Sequence, residues 1–335
     1  MNVRLLACGV LLTAACGGAS TRQASPVTSA TMHLETSAGS AATSTAPPAT
    51  TALPTSSSPA PTSQRPPPAG ISKVLTIVEE NHSLAEMRAG MPYLSGLATG
   101  YGYAADYRAI THPSLPNYLA ISGGSTFGIT DDASPRVHPL RGASVFGQAL
   151  TAGGTARLYA ESLPSRCDTL SSGAYAVKHA PWAYYVDERA QCAKGMVPAG
   201  RPTTGQLADD ITSGQLPSVG MLVPNLNHDA HDGTLQQADD WLKSWLPLLM
   251  TGPDFRAGRL VIVVTGDEDD SSSGNKVLTV VIAPGLAHHV VETALNHYSL
   301  TRLYDEVVGA PPLRDAATAP SLAQAFGLHL AHRPG

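Results

Sequence analysis

Ser72-Lys73-Val74-Leu75-Thr76-Ile77-Val78-Glu79-Glu80-Asn81-His82-Ser83 sets the architecture of this chain. The apolar, β-branched residues 72–78 read as a strand buried on both faces, and the chain then turns polar at once, with carboxylates, an amide and an imidazole. Open α/β sheets place ligands beyond the carboxyl ends of their strands, so this boundary predicts an edge that carries a site. The pattern recurs. Residues 218–223 read as a strand followed by Pro224-Asn225-Leu226-Asn227-His228-Asp229-Ala230-His231-Asp232-Gly233. Residues 259–264, the most hydrophobic strand, run into Thr265-Gly266-Asp267-Glu268-Asp269-Asp270. Further strands are expected at 156–161 and 277–282, and the loop after the latter leads to a helix start at Asn296-His297-Tyr298-Ser299. Helices are expected at 91–98, 142–153, 204–212 and 235–250. This alternation predicts an α/β fold with a mostly parallel central sheet and helices on both faces, the polar clusters meeting at one edge.

A second stretch, Thr111-His112-Pro113-Ser114-Leu115-Pro116-Asn117-Tyr118, holds the candidate reacting atom. Two prolines bracket Ser114, and the apolar run from Tyr118 to Ile121 stops at Gly123-Gly124, which predicts a short helix with Ser114 at or just before its N-terminus. Free N–H groups and the helix dipole suit that position to an anionic group such as a phosphoryl. Alone, the octapeptide reads equally as a capped turn, since serine is a common N-cap. The neighbouring clusters give it weight.

Hard divalent cations take carboxylate and amide oxygens. Glu80, Asn81, Asp267 and Glu268 are the candidate ligands of one such ion, with the Ser114 oxygen completing the set. A cation there would lower the serine pKa and polarise a phosphoryl oxygen. Each acidic run alone also reads as a solvated turn, but both follow buried strands directly. Asp229, His231 and Asp232 have short ligand spacing on one loop, and with His297 form a candidate second metal group. Alternatively His231 binds a phosphate oxygen or protonates a leaving group. Lys178-His179 offers two more donors, and Lys178, Asn117 and His297 are candidate phosphate contacts. The acidic run after residue 266 is no EF-hand loop, because Leu278 stands where the closing glutamate belongs. His228, His288, His289 and His332 read as solvated.

The rest of the chain frames this domain. Among 335 residues the charged fraction is 14%, against about 25% in a typical soluble protein. The net charge of -5 and the absence of a basic stripe exclude nucleic acid as the expected partner. Residues 1–16, with Arg4 before an apolar run that ends at Cys16, read as a lipoprotein-type signal and lipobox. Thr13 stands where leucine is usual, so simple secretion is the alternative. Residues 17–70 are Ser, Thr, Ala and Pro with few large apolar side chains, a disordered tether. Residues 71–335 form the folded domain. The expectation is an exported protein, membrane-anchored through lipid on Cys16, with Cys167 and Cys192 joined as a disulfide.

The motifs carry a resemblance. Glu-Asn after the first strand, His-Pro-Ser-x-Pro-Asn-Tyr, Lys-His-x-Pro-Trp, Pro-Asn-x-x-x-Asp-x-His-Asp-Gly, Thr-x-Asp-Glu-Asp and His-Tyr-Ser follow in order between Ser72 and Phe326. Together they resemble the bacterial phosphoesterase family of the alkaline phosphatase-like superfamily, which contains acid phosphatases and phospholipases C. The pattern is nearest to the secreted acid phosphatases of mycobacterial type. The resemblance implies Ser114 as nucleophile, Glu80, Asn81, Asp267 and Glu268 as ligands of one or two divalent metal ions, and His179 and His231 as phosphate-binding or proton-transfer groups. The implied function is a metal-dependent acid phosphatase that hydrolyses phosphate monoesters through a phosphoseryl intermediate. Its substrate would be a small phosphorylated molecule or a phospholipid headgroup. Alternatives are a phospholipase C and a non-catalytic lipoprotein that binds phosphate or metal. Tyr118 stands where a sulfatase needs the arginine of its maturation signal, and no Gly-x-Ser-x-Gly elbow of a lipase occurs. Gly266, where the family commonly has an aromatic residue, and His228, in place of an amide, depart from the pattern.

Overall fold

The computed structural model describes residues 70–331. The signal segment, Cys16 and the tether up to residue 69 lie outside the described residues. The strands are β1 (Lys73–Glu79), β2 (Gly102–Ala104), β3 (Tyr107–Arg108), β4 (Ala156–Ala160), β5 (Met196–Pro198), β6 (Val219–Val223), β7 (Leu260–Gly266), β8 (Thr279–Ile282), β9 (His289–Val291) and β10 (Leu295–Asn296). Eight of them form one sheet in the order β5-β4-β6-β1-β7-β8-β2-β9, and β3 pairs with β10 apart from it. The helices are α1 (Leu84–Gly90), α2 (Pro92–Gly100), α3 (Ser114–Gly123), α4 (Val145–Thr151), α5 (Arg189–Gly195), α6 (Gln206–Ser213), α7 (Leu235–Thr251), α8 (Pro253–Arg256), α9 (His297–Val308) and α10 (Leu322–Ala325).

β1 lies between β6 and β7, parallel to both, with Ile77 beside Leu222 on one side and Val264 on the other. Alternate side chains enter two cores. Val74 and Val78 pack with Tyr118 of α3, Phe146 of α4 and Leu303 of α9, while Leu75 and Ile77 pack with Leu94 of α2, Ile211 of α6 and Trp245 of α7. Helices therefore cover both faces, which is why β1, β6 and β7 read as unbroken apolar runs. The carboxyl ends of these three strands bring Glu80, the loop after Val223 and Asp267 to one edge, as expected.

β8 does not follow the expectation. It runs antiparallel to β7, with Thr265 opposite Thr279 and Ile262 opposite Ile282. The connection from β7 contains no helix, and a parallel return needs a crossover that is usually helical. The amino end of β8 therefore faces the site, and the chain passes through β9 and β10 before His297 arrives. α1 was not anticipated from the sequence, although Ser83 and Glu86 form a complete capping box at its start.

α3 begins at Ser114, with Pro113 as N-cap and a cis His112–Pro113 bond. Pro116 is tolerated in the first turn, where backbone N–H groups have no intrahelical partner. Gly124 ends the helix in the left-handed conformation (φ 67°) and donates its N–H to Ala120 O. The whole of α3 is buried, and Thr301 of α9 donates its hydroxyl to Ala120 O at 2.5 Å. Cys167 and Cys192 form the expected disulfide. It joins the segment before Lys178 and His179 to α5, and closing a loop of this length stabilises by about 3 kcal/mol in an entropic treatment.

Candidate active site

The first residue of α3 is the centre of the site. The Ser114 hydroxyl donates to Glu80 Oε2 at 2.9 Å and accepts from Lys178 Nζ at 3.3 Å. One turn on, at i+4 and so on the same helix face, Tyr118 donates its hydroxyl to Glu80 Oε1 at 2.6 Å. The Tyr118 ring stacks on His179, with centroids 4.9 Å apart and planes 11° from parallel. His179 is itself buried between two carboxylates: Nε2 is 3.2 Å from Glu80 Oε1, and Nδ1 is 3.2 Å from Asp229 Oδ2.

The ends of β1 and β7 are stitched together. Asp267 donates its N–H to Glu79 O at 2.9 Å, and Asp267 Oδ1 accepts from the N–H groups of Asn81 (3.0 Å) and Glu268 (2.7 Å). Asn81 has positive φ (53°), a conformation that asparagine tolerates better than most residues. The loop after β6 adds Asp229, whose Oδ1 accepts the His231 N–H at 2.9 Å. His231 stands at the mouth, with Nδ1 2.8 Å from Asp232 Oδ1 and Nε2 3.4 Å from Lys178 Nζ. Lysine only donates, so Nε2 accepts and Nδ1 carries the proton in this arrangement.

The family model of the Phosphoesterase family matches residues 87–311, a span that includes Ser114, Lys178, His179, Asp229, His231, Asp267 and Glu268. The phosphatidylinositol-3-phosphatase of Mycobacterium tuberculosis is 31% identical over 257 residues, covering 76% of this chain and 82% of that protein. This chain belongs to the phosphoesterase family. It is a hydrolase of phosphoric esters. An acid phosphatase of Aspergillus fumigatus is 26% identical over 221 residues, covering 62% of this chain and 48% of that protein, so the phosphoesterase spans about half the length of this fungal relative. Two solved structures share the fold. They are a protein in the alkaline phosphatase superfamily from Vibrio parahaemolyticus (TM-score 0.51, 13% identity, covering 77% of this chain and 73% of that one) and the lipoteichoic acid synthase LtaP of Listeria monocytogenes (TM-score 0.51, 8% identity, 75% and 76%).

Buried negative charge dominates the site of this phosphoesterase. Burial alone would raise the Glu80 pKa, but His179, Lys178 and the Tyr118 hydroxyl outweigh it and hold the carboxyl down at about 2. Burial likewise opposes the charged form of His179, yet Glu80 and Asp229 push its pKa up to about 9. Burial and the Glu80 charge raise Asp267 well above the carboxylate range and Glu268 to about 8. Lys178 is raised by Glu80 and Asp132 against its own desolvation.

Asp267 Oδ2 and Asn81 Oδ1 are buried without a hydrogen-bond partner. Among the described residues no three His, Cys, Asp or Glu side chains already converge as a finished cage. The donor set nevertheless suits a hard cation: anionic and amide oxygens, two of them unsatisfied, beside carboxylates that repel one another.

The remaining expected residues take other places. Asn117 accepts from the N–H groups of Ile110 and Thr111 and donates to Thr111 O and Glu268 Oε2, so it ties the loop before α3 to Glu268 and keeps no donor for phosphate. His297 lies 2.6 Å from Asp267 O through Nε2 and 3.2 Å from the Tyr107 hydroxyl through Nδ1. Burial lowers its pKa to about 4, and it buttresses the Asp267 backbone instead of joining Asp229 and His231. Asp232 is exposed and orients His231. His112 went unassigned in the sequence reading, although it precedes Ser114 by two positions. It contacts Glu268 Oε2 at 3.3 Å and Asp269 Oδ1 at 3.2 Å. Tyr118 likewise went unassigned, although its i+4 spacing from Ser114 was a signal for it, whereas Asp132 gave no signal.

Removing His179 leaves Glu80 and Asp229 buried without their shared cation, a change that costs about 3–5 kcal/mol when one partner of a buried pair is lost. The folded pKa of His179 is raised, so its contribution in the metal-free protein is full below the unfolded value of about 6.5 and declines as pH rises through about 9. Urea unfolding of wild type and His179→Ala in chelator should show a stability gap that narrows across that window. A gap of constant size from acid to alkaline pH contradicts this assignment.

Proposed function

We propose that this phosphoesterase is an exported acid phosphatase that cleaves phosphate monoesters through a phosphoseryl intermediate on Ser114, assisted by one or two divalent metal ions. The observation that carries the reading is the Ser114 hydroxyl at the first position of buried α3, gripped between the Glu80 carboxylate and the Lys178 ammonium. A monoester fits the names of the relatives, all of them phosphatases.

Ser114 Oγ attacks phosphorus. A P–O bond to serine forms as the bond to the ester oxygen breaks, and the hydroxyl proton leaves towards Glu80 Oε2. Glu80 is a weak base, so a divalent cation held by Glu80, Asn81, Asp267 and Glu268 would supply the drop in serine pKa and polarise a phosphoryl oxygen. Lys178 holds a non-bridging oxygen, while in the first turn of α3 the Leu115 N–H is already given to Asp132 and Pro116 has none. Once a phosphoryl oxygen takes the Lys178 donor, His231 Nε2 no longer accepts from lysine; it takes up a proton from solvent, and the imidazolium so formed delivers that proton to the departing oxygen. Imidazole donates best when protonated, which favours an acid optimum. Water then attacks the phosphoserine, releasing inorganic phosphate and restoring the hydroxyl. Export rests on the N-terminal signal pattern and on the disulfide, which persists in oxidising compartments; lipid on Cys16 would place the enzyme at a membrane.

Ser114→Ala should abolish hydrolysis of p-nitrophenyl phosphate while the loss in stability stays below about 2 kcal/mol, the upper range for a helix-end serine. Near wild-type turnover by the folded variant would falsify the mechanism. Faster wild-type turnover of p-nitrophenylphosphorylcholine than of the monoester would instead favour the diesterase.

Asp267→Asn should lower bound metal, measured by atomic absorption, together with activity, and chelation of the wild type should match it. Retained activity in both preparations removes the metal from the mechanism.

A further inference from the structure

Asp132 stands in an irregular loop, outside the motifs, yet touches the nucleophile region twice. Its Oδ2 accepts from Lys178 Nζ at 3.0 Å, and its Oδ1 accepts the N–H of Leu115, the residue after Ser114, at 2.9 Å. We propose that Asp132 is a positioning residue for the hydrolysis, holding Lys178 over Ser114 and fixing the first turn of α3 with the same carboxylate. The inference rests on the reading of Lys178 as a phosphate contact.

An ammonium has three donors, and three acceptors lie within reach of Lys178: Asp132 Oδ2 at 3.0 Å, Ser114 Oγ at 3.3 Å and His231 Nε2 at 3.4 Å. Asp132 is the nearest and the only anion of the three. The other two are reacting groups in the proposed mechanism, and their bonds to Lys178 change during turnover. The contact with Asp132 can persist throughout, which keeps the long lysine stem from swinging into the mouth when a phosphoryl oxygen replaces Ser114 as its acceptor.

The loop is built to hold this carboxylate still. Asp131 Oδ1 accepts the Ala133 N–H at 2.9 Å and meets His138 Nε2 at 2.6 Å, while the Tyr184 hydroxyl donates to Ala133 O at 3.0 Å. Asp132 is thus fastened on both flanks, with its side chain still partly open to the mouth.

The test is a double-variant cycle with Lys178→Met, assayed as kcat and KM for p-nitrophenyl phosphate with divalent metal present. Asp132→Asn keeps an oxygen for the Leu115 N–H and replaces the anionic acceptor facing Lys178 by an uncharged NH2 donor. It should lower kcat/KM roughly 10- to 100-fold, the scale of losing the partner of a site residue, with unchanged melting. In the Lys178→Met background the same substitution should cost nothing further, and Asp132→Glu should recover part of the loss. Should the Asn variant not fold, the cycle is read with Asp132→Glu and Asp132→Ala per folded molecule.

Wild-type kcat/KM in Asp132→Asn overturns the proposal, as does an equal loss with and without Lys178, which would mean that Asp132 acts through the helix alone. Wild-type activity in Lys178→Met overturns the assignment of Lys178 and Asp132 together. Loss in Lys178→Met with none in Asp132→Asn leaves the phosphate contact standing and overturns only the role of Asp132.

Discussion

The carboxylate of Glu80 is sealed from solvent and still ionised, a state that a protein interior tolerates only when cations and hydroxyls surround the charge. His179 supplies a buried cation, Lys178 adds its field, and the Ser114 and Tyr118 hydroxyls donate directly. Much of the architecture exists to deliver these groups to one point. β1 places Glu80 just beyond its end, α3 presents Ser114 and Tyr118 from one face, and the disulfide-closed loop brings Lys178 and His179. The same arrangement leaves Asp267 and Glu268 with raised pKa values and Asp267 Oδ2 without a partner, a surplus that a divalent cation would neutralise.

Shared fold does not by itself set this chemistry. The Vibrio and Listeria structures align over about three quarters of the chain at very low identity, and a likeness of that kind speaks for the sheet and its helices alone. What narrows the reading to phosphoric esters is the family match together with a serine hydroxyl gripped at a helix entrance by an anion and a cation.

β1, β6 and β7 were legible because burial on both faces leaves an unbroken apolar signature, and the polar residues after each strand marked the edge where the site lies. Ser114 was legible from its prolines and the glycine stop. The direction of β8 was not, since strand orientation depends on the path between strands and leaves no mark in the strand's own residues. Short strands such as β3 and β10 carry too few side chains for a periodicity. The fates of Asn117 and His297 could not be read from residue type, because an amide or imidazole serves a loop backbone as well as a phosphate, and only the folded neighbourhood decides. Asp132 reaches Lys178 and Leu115 through a turn without regular structure, so no spacing announced it.

Acid quench during steady-state turnover of a phosphate monoester, followed by proteolysis and mass spectrometry, addresses the central claim most directly. The account predicts one added phosphoryl group on the peptide that contains Ser114, located on the serine and absent without substrate. A phosphoryl group found on His179 or His231, or no covalent adduct under conditions of rapid turnover, would contradict it.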